Sequence, residues 1–247
     1  MPRAARKKSA SGIYHIIIRG INKQTIFSDE EDNDEFIRIL SECKRVSGFD
    51  LYAYCLMENH AHLLIKEGTE SIEQIMKRIG TRYVIRYNRK YQRSGHLFQD
   101  RFKSEVVEDD GYFLTVLRYI HQNPQKAGLG KGPDLYPWSS CRDYISNKGI
   151  TDVDFALDLI GENRFIKFMR EQSNEQVLEY DEGKIRLTDM QLCEKIEHDH
   201  NIKAIMIQNE PKEKMIKILK QILKYDGVST RQLSRVTGIS TNIIWRM

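Results

Sequence analysis

Met57-Glu58-Asn59-His60-Ala61-His62-Leu63-Leu64-Ile65 carries two histidines on what reads as a buried strand. Side chains alternate along a strand, so His60 and His62 share one face while Ala61, Leu63 and Ile65 take the other. Asp50–Met57 reads as a second strand, joined to His60–Lys66 by the short Glu58-Asn59 connection. Two imidazoles two residues apart can share one divalent cation; a pair of buried histidines with hydrogen-bond partners is the plainer alternative.

The flanking segments supply the rest of a sheet. Tyr14–Arg19 is rich in Ile and reads as a strand. Asp29–Ser47 has acids in its first turn, an apolar stripe at Phe36, Ile39, Leu40, Cys43 and Val46, and Gly48 to close it, which is a helix. Ser71 and Gln74 form a capping box for a second helix with its stripe at Ile72, Ile75, Met76, Ile79, Tyr83 and Tyr87. After the turn signal Arg93-Ser94-Gly95, residues 96–107 are strand-like. Asp109 or Asp110 caps a third helix, Tyr112–Gln122, expected to end near Asn123 because Pro124 follows. The order β-α-β-β-α-β-α predicts an α+β fold, a ferredoxin-like antiparallel sheet with helices on one face and one added helix. Such a fold implies no function by itself.

Charge is unevenly distributed over the 247 residues, whose formal net charge is +4. Residues 77–103 hold nine Lys or Arg against the single acid Asp100, whereas residues 151–199 hold thirteen acids against six bases. The expected organisation is a basic arm over 1–12, a catalytic domain over 13–150, an acidic, partly helical linker over 151–210 and a helical region over 211–247. In that last region Lys212–Tyr225 is amphipathic, Ser229 caps a helix through Val236, and Gly238-Ile239-Ser240 turns into a third, a helix-turn-helix layout. A small helical tail is the alternative. Four scattered cysteines without a Cys-x-x-Cys suit free thiols in a cytoplasmic protein, and no apolar run has the length of a membrane span.

On the third helix Phe113, Val116, Leu117 and Ile120 form the core stripe, and Tyr119 and Asn123 lie four residues apart on a neighbouring flank. A hydroxyl nucleophile and an amide oxygen ligand are thereby offered together. Arg78, Arg82, Arg86, Arg89, Lys90 and Arg93 interleave with Tyr83, Tyr87 and Tyr91, and Arg101 and Lys103 extend the basic patch; cations can follow phosphates and tyrosines can stack on unpaired bases. A solvated basic helix with inward tyrosines is the other possibility.

Five ordered motifs make the sequence resemble the single-tyrosine HUH transposases, closest to the REP-associated, IS200-like branch. They are Tyr14-His15-Ile16 through Arg19-Gly20; His60-Ala61-His62; Gly95-His96-Leu97-Phe98 with Arg101-Phe102; Arg118-Tyr119-Ile120-His121-Gln122-Asn123-Pro124; and Tyr136-Pro137-Trp138-Ser139-Ser140. Glu58 departs from the family, which usually has Pro before Asn-His. The resemblance implies nicking and rejoining of single-stranded or hairpin DNA through a 5′-phosphotyrosine on Tyr119, with Mg²⁺ or Mn²⁺ held by His60, His62 and Asn123. It leaves monomer and homodimer both open; the helix-turn-helix layout of the C-terminal region offers contact with duplex DNA, and the lack of a long apolar run argues against membrane association. The competing expectation is a domesticated DNA-binding regulator descended from such an enzyme.

Overall fold

The computed structural model describes residues 6–130, 132–171, 177–179, 187, 189–225 and 228–245. The first five residues of the expected basic arm, and the last two of the expected third C-terminal helix, lie outside that set. The chain forms two compact units, 1–180 and 181–247.

The first unit begins with β1 (Ile13–Arg19), α1 (Glu30–Ser47), β2 (Asp50–Met57), β3 (His60–Lys66), α2 (Ile72–Lys90), β4 (Lys103–Val107) and α3 (Asp110–Lys126). The strands make one sheet in the order β2-β3-β1-β4, every neighbouring pair antiparallel. Helix starts follow the sequence signals. Asp29 accepts from the Asp32 amide, Ser71 and Gln74 close a capping box, and Asp109 accepts from the Tyr112 amide. Each such cap is worth about 1 kcal/mol.

Both faces of the sheet are covered, which corrects the expectation of helices on one face. Ile16, Ile18, Leu63 and Ile65 pack with α1 and α2, while Ile13, Cys55, Leu64 and Val107 pack with α3. The strands read as nearly continuous apolar runs because neither face is wet; a half-solvated sheet would alternate. A bulge between Leu51 and Ala53 sends Leu51 to the first face and both Tyr52 and Ala53 to the second.

Three boundaries also differ. β4 is shorter than the expected 96–107, because Phe98 and Phe102 leave the ladder to pack on the α1–α2 face while Phe98 bridges Gly20. α3 runs through Pro124 to Lys126: in the last turn a proline forfeits one N–H, and the Asn123 and Pro124 carbonyls are taken by the amides of Ala127 and Leu129. Residues 6–12 are docked: the amides of Ala10 and Ser11 donate to the Glu108 carboxylate, and Arg6 donates to the Phe102 carbonyl.

Residues 151–210, expected to form a linker, divide between the units. α4 (Cys141–Ser146), α5 (Asp154–Ile160) and α6 (Phe165–Arg170) belong to the first unit, and Ala156, Ile160, Phe165 and Met169 join the core beneath α3. Their helical apolar spacing was masked by the surrounding acids. α7 (Asp189–His200) opens the second unit and buries Leu192 and Ile196 with α8 (Lys212–Ile222), α9 (Thr230–Thr237) and α10 (Thr241–Trp245). No described helix is long and apolar enough to cross a membrane. All four cysteines are free.

Candidate active site

The register of the sheet builds the site. Arg19 lies opposite His60, Ile17 opposite His62, and His15 opposite Glu105, so His15, His60, His62 and Glu105 share the face that α3 covers. α3 contributes Tyr119, whose ring meets His62 edge-on with centroids 5.6 Å apart and His15 at 5.9 Å. The ring of His60 is 5.1 Å from that of His62. Three of the four residues expected in the site therefore converge.

The turn that presents His60 keeps its shape without a proline. The Glu58 carbonyl accepts the amides of Ile26 and Phe27, and its carboxylate accepts the Thr25 hydroxyl at 3.0 Å. The departure from the family pattern is thus absorbed locally.

His60 and His62 each have Nδ1 engaged. His60 Nδ1 lies 2.7 Å from Asn59 Oδ1 and His62 Nδ1 lies 3.0 Å from His15 Nε2. Burial, with Arg19 nearby, pulls the His60 pKa down to about 4. Burial pulls His62 well below its usual value, and His15, His60 and Lys126 push the same way. Both imidazoles are neutral at pH 7; His60, donating from Nδ1 to an amide oxygen, keeps an Nε2 lone pair, and His62 keeps one in the tautomer whose Nδ1 donates to His15. That donor pair fits a divalent ion.

Tyr119 is largely buried and its hydroxyl donates to Glu179 Oε1 at 3.2 Å. Burial first, and the Glu179 carboxylate second, push the phenol above its ordinary pKa. The Lys126 ammonium stands 4.5 Å over the ring. Asn123 Nδ2 donates to the Tyr119 carbonyl at 2.9 Å, and among the described residues its hydrogen bonds stay on α3 and do not reach the histidines. His15 is fully buried; its Nδ1 is 4.0 Å from Glu105 Oε2, an ion-pair distance too long for a hydrogen bond.

The sequence reading gives no site role to His15, Glu105, Lys126 or Glu179, although His15 falls in the first of the five motifs. His15 and Glu105 could have been found from a correct register; Lys126 and Glu179 depend on packing beyond the sheet.

The basic surface is organised differently from the expectation. Arg78 pairs with Glu70, Arg82 with Glu42, Arg86 with Glu31, and Lys90 with Asp29, Glu31 and Asp32. Arg93 donates to Gln24 and lies over the Tyr87 ring. The tyrosines turn inward: Tyr83 and Tyr87 donate to the carbonyls of Ile26 and Thr25, and Tyr91 donates to Asp32. Much of the basic face of α2 thus meets the acidic face of α1. The side chains of Arg89 and Arg101 have no hydrogen-bond or ion-pair partner among the described residues, and both residues are exposed.

The family described as "Transposase IS200 like" matches residues 8–123. A solved structure of the REP-associated tyrosine transposase bound to a REP hairpin is similar at 17% identity, with a TM-score of 0.51 over 62% of this chain and 96% of that one. This likeness concerns the fold. A candidate transposase from Deinococcus radiodurans R1 is 19% identical over 49% of this chain and 97% of that one, with a TM-score of 0.35. Among curated proteins no match was found. Residues 8–123 are a domain of the IS200-like transposase family.

Proposed function

We propose that this chain cleaves and rejoins single-stranded or hairpin DNA with Tyr119 as nucleophile, His60 and His62 holding a divalent ion, and Asn123 completing the ligand set. The observation that carries this is the meeting of two neutral imidazoles, each with a lone pair to offer, and a buried phenol on the facing helix. When bound, Mg²⁺ or Mn²⁺ supplies positive charge to a phosphate oxygen; the imidazoles favour Mn²⁺ over the harder Mg²⁺.

The chain's own groups account for the remaining chemistry. The Tyr119 oxygen attacks phosphorus as its proton passes to Glu179, which already accepts that hydrogen bond. A 5′-phosphotyrosyl bond forms, the bond from phosphorus to the 3′ oxygen breaks, and the 3′ oxygen leaves as a hydroxyl after taking a proton from water. Lys126 places positive charge where the incoming phosphate meets the Glu179 carboxylate. For DNA binding the reading includes Arg78, Arg82, Arg86, Arg89, Lys90, Arg93, Arg101 and Lys103. The pairs with α1 are partly exposed and can be exchanged for phosphates at modest cost.

Incubation with labelled hairpin DNA and Mn²⁺, followed by a denaturing gel, tests the proposal. A slow-migrating covalent adduct is expected, lost with EDTA and in Tyr119→Phe, which keeps its DNA affinity. Full cleavage by Tyr119→Phe removes Tyr119 from the role.

A duplex-reading role for the second unit rests on α9 and α10. They are joined by Gly238-Ile239-Ser240 with Gly238 in the left-handed region, and they expose Asn242 at the start of α10. An exposed Asn there suits an adenine edge in the major groove. Asn242→Ala in the full chain is expected to weaken duplex binding in gel shifts; unchanged binding removes the helix-turn-helix reading and the regulator alternative with it. Sedimentation of the free chain distinguishes monomer from homodimer.

A further inference from the structure

At the end of β1, on the α2 side of the sheet, a cavity of about 430 Å³ opens between α2 and residues 98–102. Its size falls within the range of small-ligand clefts, about 300–1,000 Å³. Ile18, Met76, Phe98 and Phe102 give it apolar and aromatic walls, with both phenyl rings only partly buried. Its rim carries three cations, Arg6, Lys77 and Arg101. A planar group already stacks here: the Arg6 guanidinium lies 3.7 Å from the centre of the Phe102 ring. Burial first, and the Arg101 guanidinium second, lower the Arg6 pKa, so two guanidinium groups lie near a common space that an anion would relieve. Glu73 and Asp100 complete the rim.

The cavity is one residue away, along the strand, from the candidate active site. Ile18 lines it, whereas Arg19, the next residue, lies on the opposite face across from His60. The residues around it run past the outer edge of β1, where Gln99 donates to the Arg19 carbonyl.

We propose that this cavity binds an unpaired nucleobase of the single-stranded DNA substrate, with Phe98 and Phe102 as stacking faces and Arg6, Lys77 and Arg101 on the adjoining phosphates. Glu73 and Asp100 are placed to accept from an exocyclic amino group, which favours adenine, cytosine or guanine over thymine. The proposal rests on the DNA-cleaving reading above and adds to it a binding position on the other face of the sheet.

Gly80 provides the test. It lines the cavity within α2, and a β-carbon there would meet only Phe98 Cε2, at an ordinary 3.7 Å. Gly80→Leu therefore fills the space with a better helix former and leaves every candidate catalytic residue unchanged. Both measurements use the Tyr119→Phe background so that no strand is cut. Thermal melting is expected to show Gly80→Leu at least as stable as the parent. Fluorescence anisotropy with a labelled single-stranded oligonucleotide of mixed sequence is expected to show a loss of at least about fivefold in affinity. Arg101→Ala is expected to weaken binding and flatten its salt dependence. Equal affinity in Gly80→Leu and parent overturns the cavity and leaves the DNA-cleaving reading standing. A parent with no single-stranded affinity overturns both. If an abasic oligonucleotide binds the parent as well as the intact one, the rim alone is at work and the base-binding claim fails.

Discussion

His15 Nε2 and His62 Nδ1 are 3.0 Å apart, and one of the two nitrogens carries the hydrogen between them. For His62 to offer Nε2 to a cation, its Nδ1 bears that hydrogen and His15 Nε2 accepts it. His15 then carries its own hydrogen on Nδ1, which faces the Glu105 carboxylate at 4.0 Å. A neutral, buried imidazole thus fixes the tautomer and the ring orientation of its neighbour. His15→Phe removes the acceptor while filling the space, so Mn²⁺ affinity measured by calorimetry on the metal-free protein is expected to fall about tenfold. Unchanged affinity with an intact circular dichroism spectrum would sink this role. Glu179 acts on the other partner by raising the Tyr119 phenol. In Glu179→Gln the neutral amide ends that repulsion of the phenolate, so Tyr119 titrates at lower pH. The tyrosinate absorbance difference between Glu179→Gln and the same variant carrying Tyr119→Phe reads this directly; an unmoved titration argues that burial alone sets the phenol.

At the scale of elements, the contact between α1 and α2 gathers Lys90 against Asp29, Glu31 and Asp32. The Asp32 side chain is 4% exposed, so it depends on that ammonium together with the Ser28 amide and the Tyr91 hydroxyl. Lys90→Met keeps much of the aliphatic stem and leaves the carboxylate short of its cation; a loss of about 1–3 kcal/mol is expected from urea unfolding. A change within error would class the cluster with ordinary exposed pairs. Both helices were legible from their stripes, and their starts from Asp29 and from the Ser71–Gln74 box. Their pairing was not, because acids on one helix and bases on the next come together only once both lie on one face of the sheet. Pro124 shows the complementary difficulty. Its local rule ends a helix, yet the last turn tolerates it when later amides take the freed carbonyls.

For the molecule as a whole, the antiparallel sheet could be anticipated from the element order, and the meeting of His60, His62 and Tyr119 from the resemblance to the single-tyrosine transposases; alternation and helical period say only which residues share a face. The second covered face could not: the stripe of α3 shows a helix but not which side of the sheet it packs on, and the helices beneath it come from a segment whose apolar spacing lies among acids. That covering makes His121 a core residue. It is fully buried, its Nε2 bonds the Ser140 hydroxyl at 2.8 Å, and burial pulls its pKa down to about 3. In the unfolded chain the same histidine titrates near 6.5. Between those values the unfolded state binds a proton that the folded state refuses, so stability is full above about pH 6.5 and falls with decreasing pH down to about 3. The slope approaches about 1.4 kcal/mol per pH unit for such a group. His121→Gln retains a partner for Ser140 and removes the titration, so its stability is expected to fall less steeply between pH 7.5 and 5 than that of the parent. With one tryptophan in each unit, Trp138 and Trp245, the experiment belongs in a Trp245→Phe background. Trp245 is 75% exposed, so the change is mild, and Trp138 fluorescence then follows the first unit alone through urea unfolding. Equal slopes for the two proteins would mean that His121 takes up its proton alike in the folded and unfolded states, and the acid sensitivity of the unit would have to come from its other buried histidines.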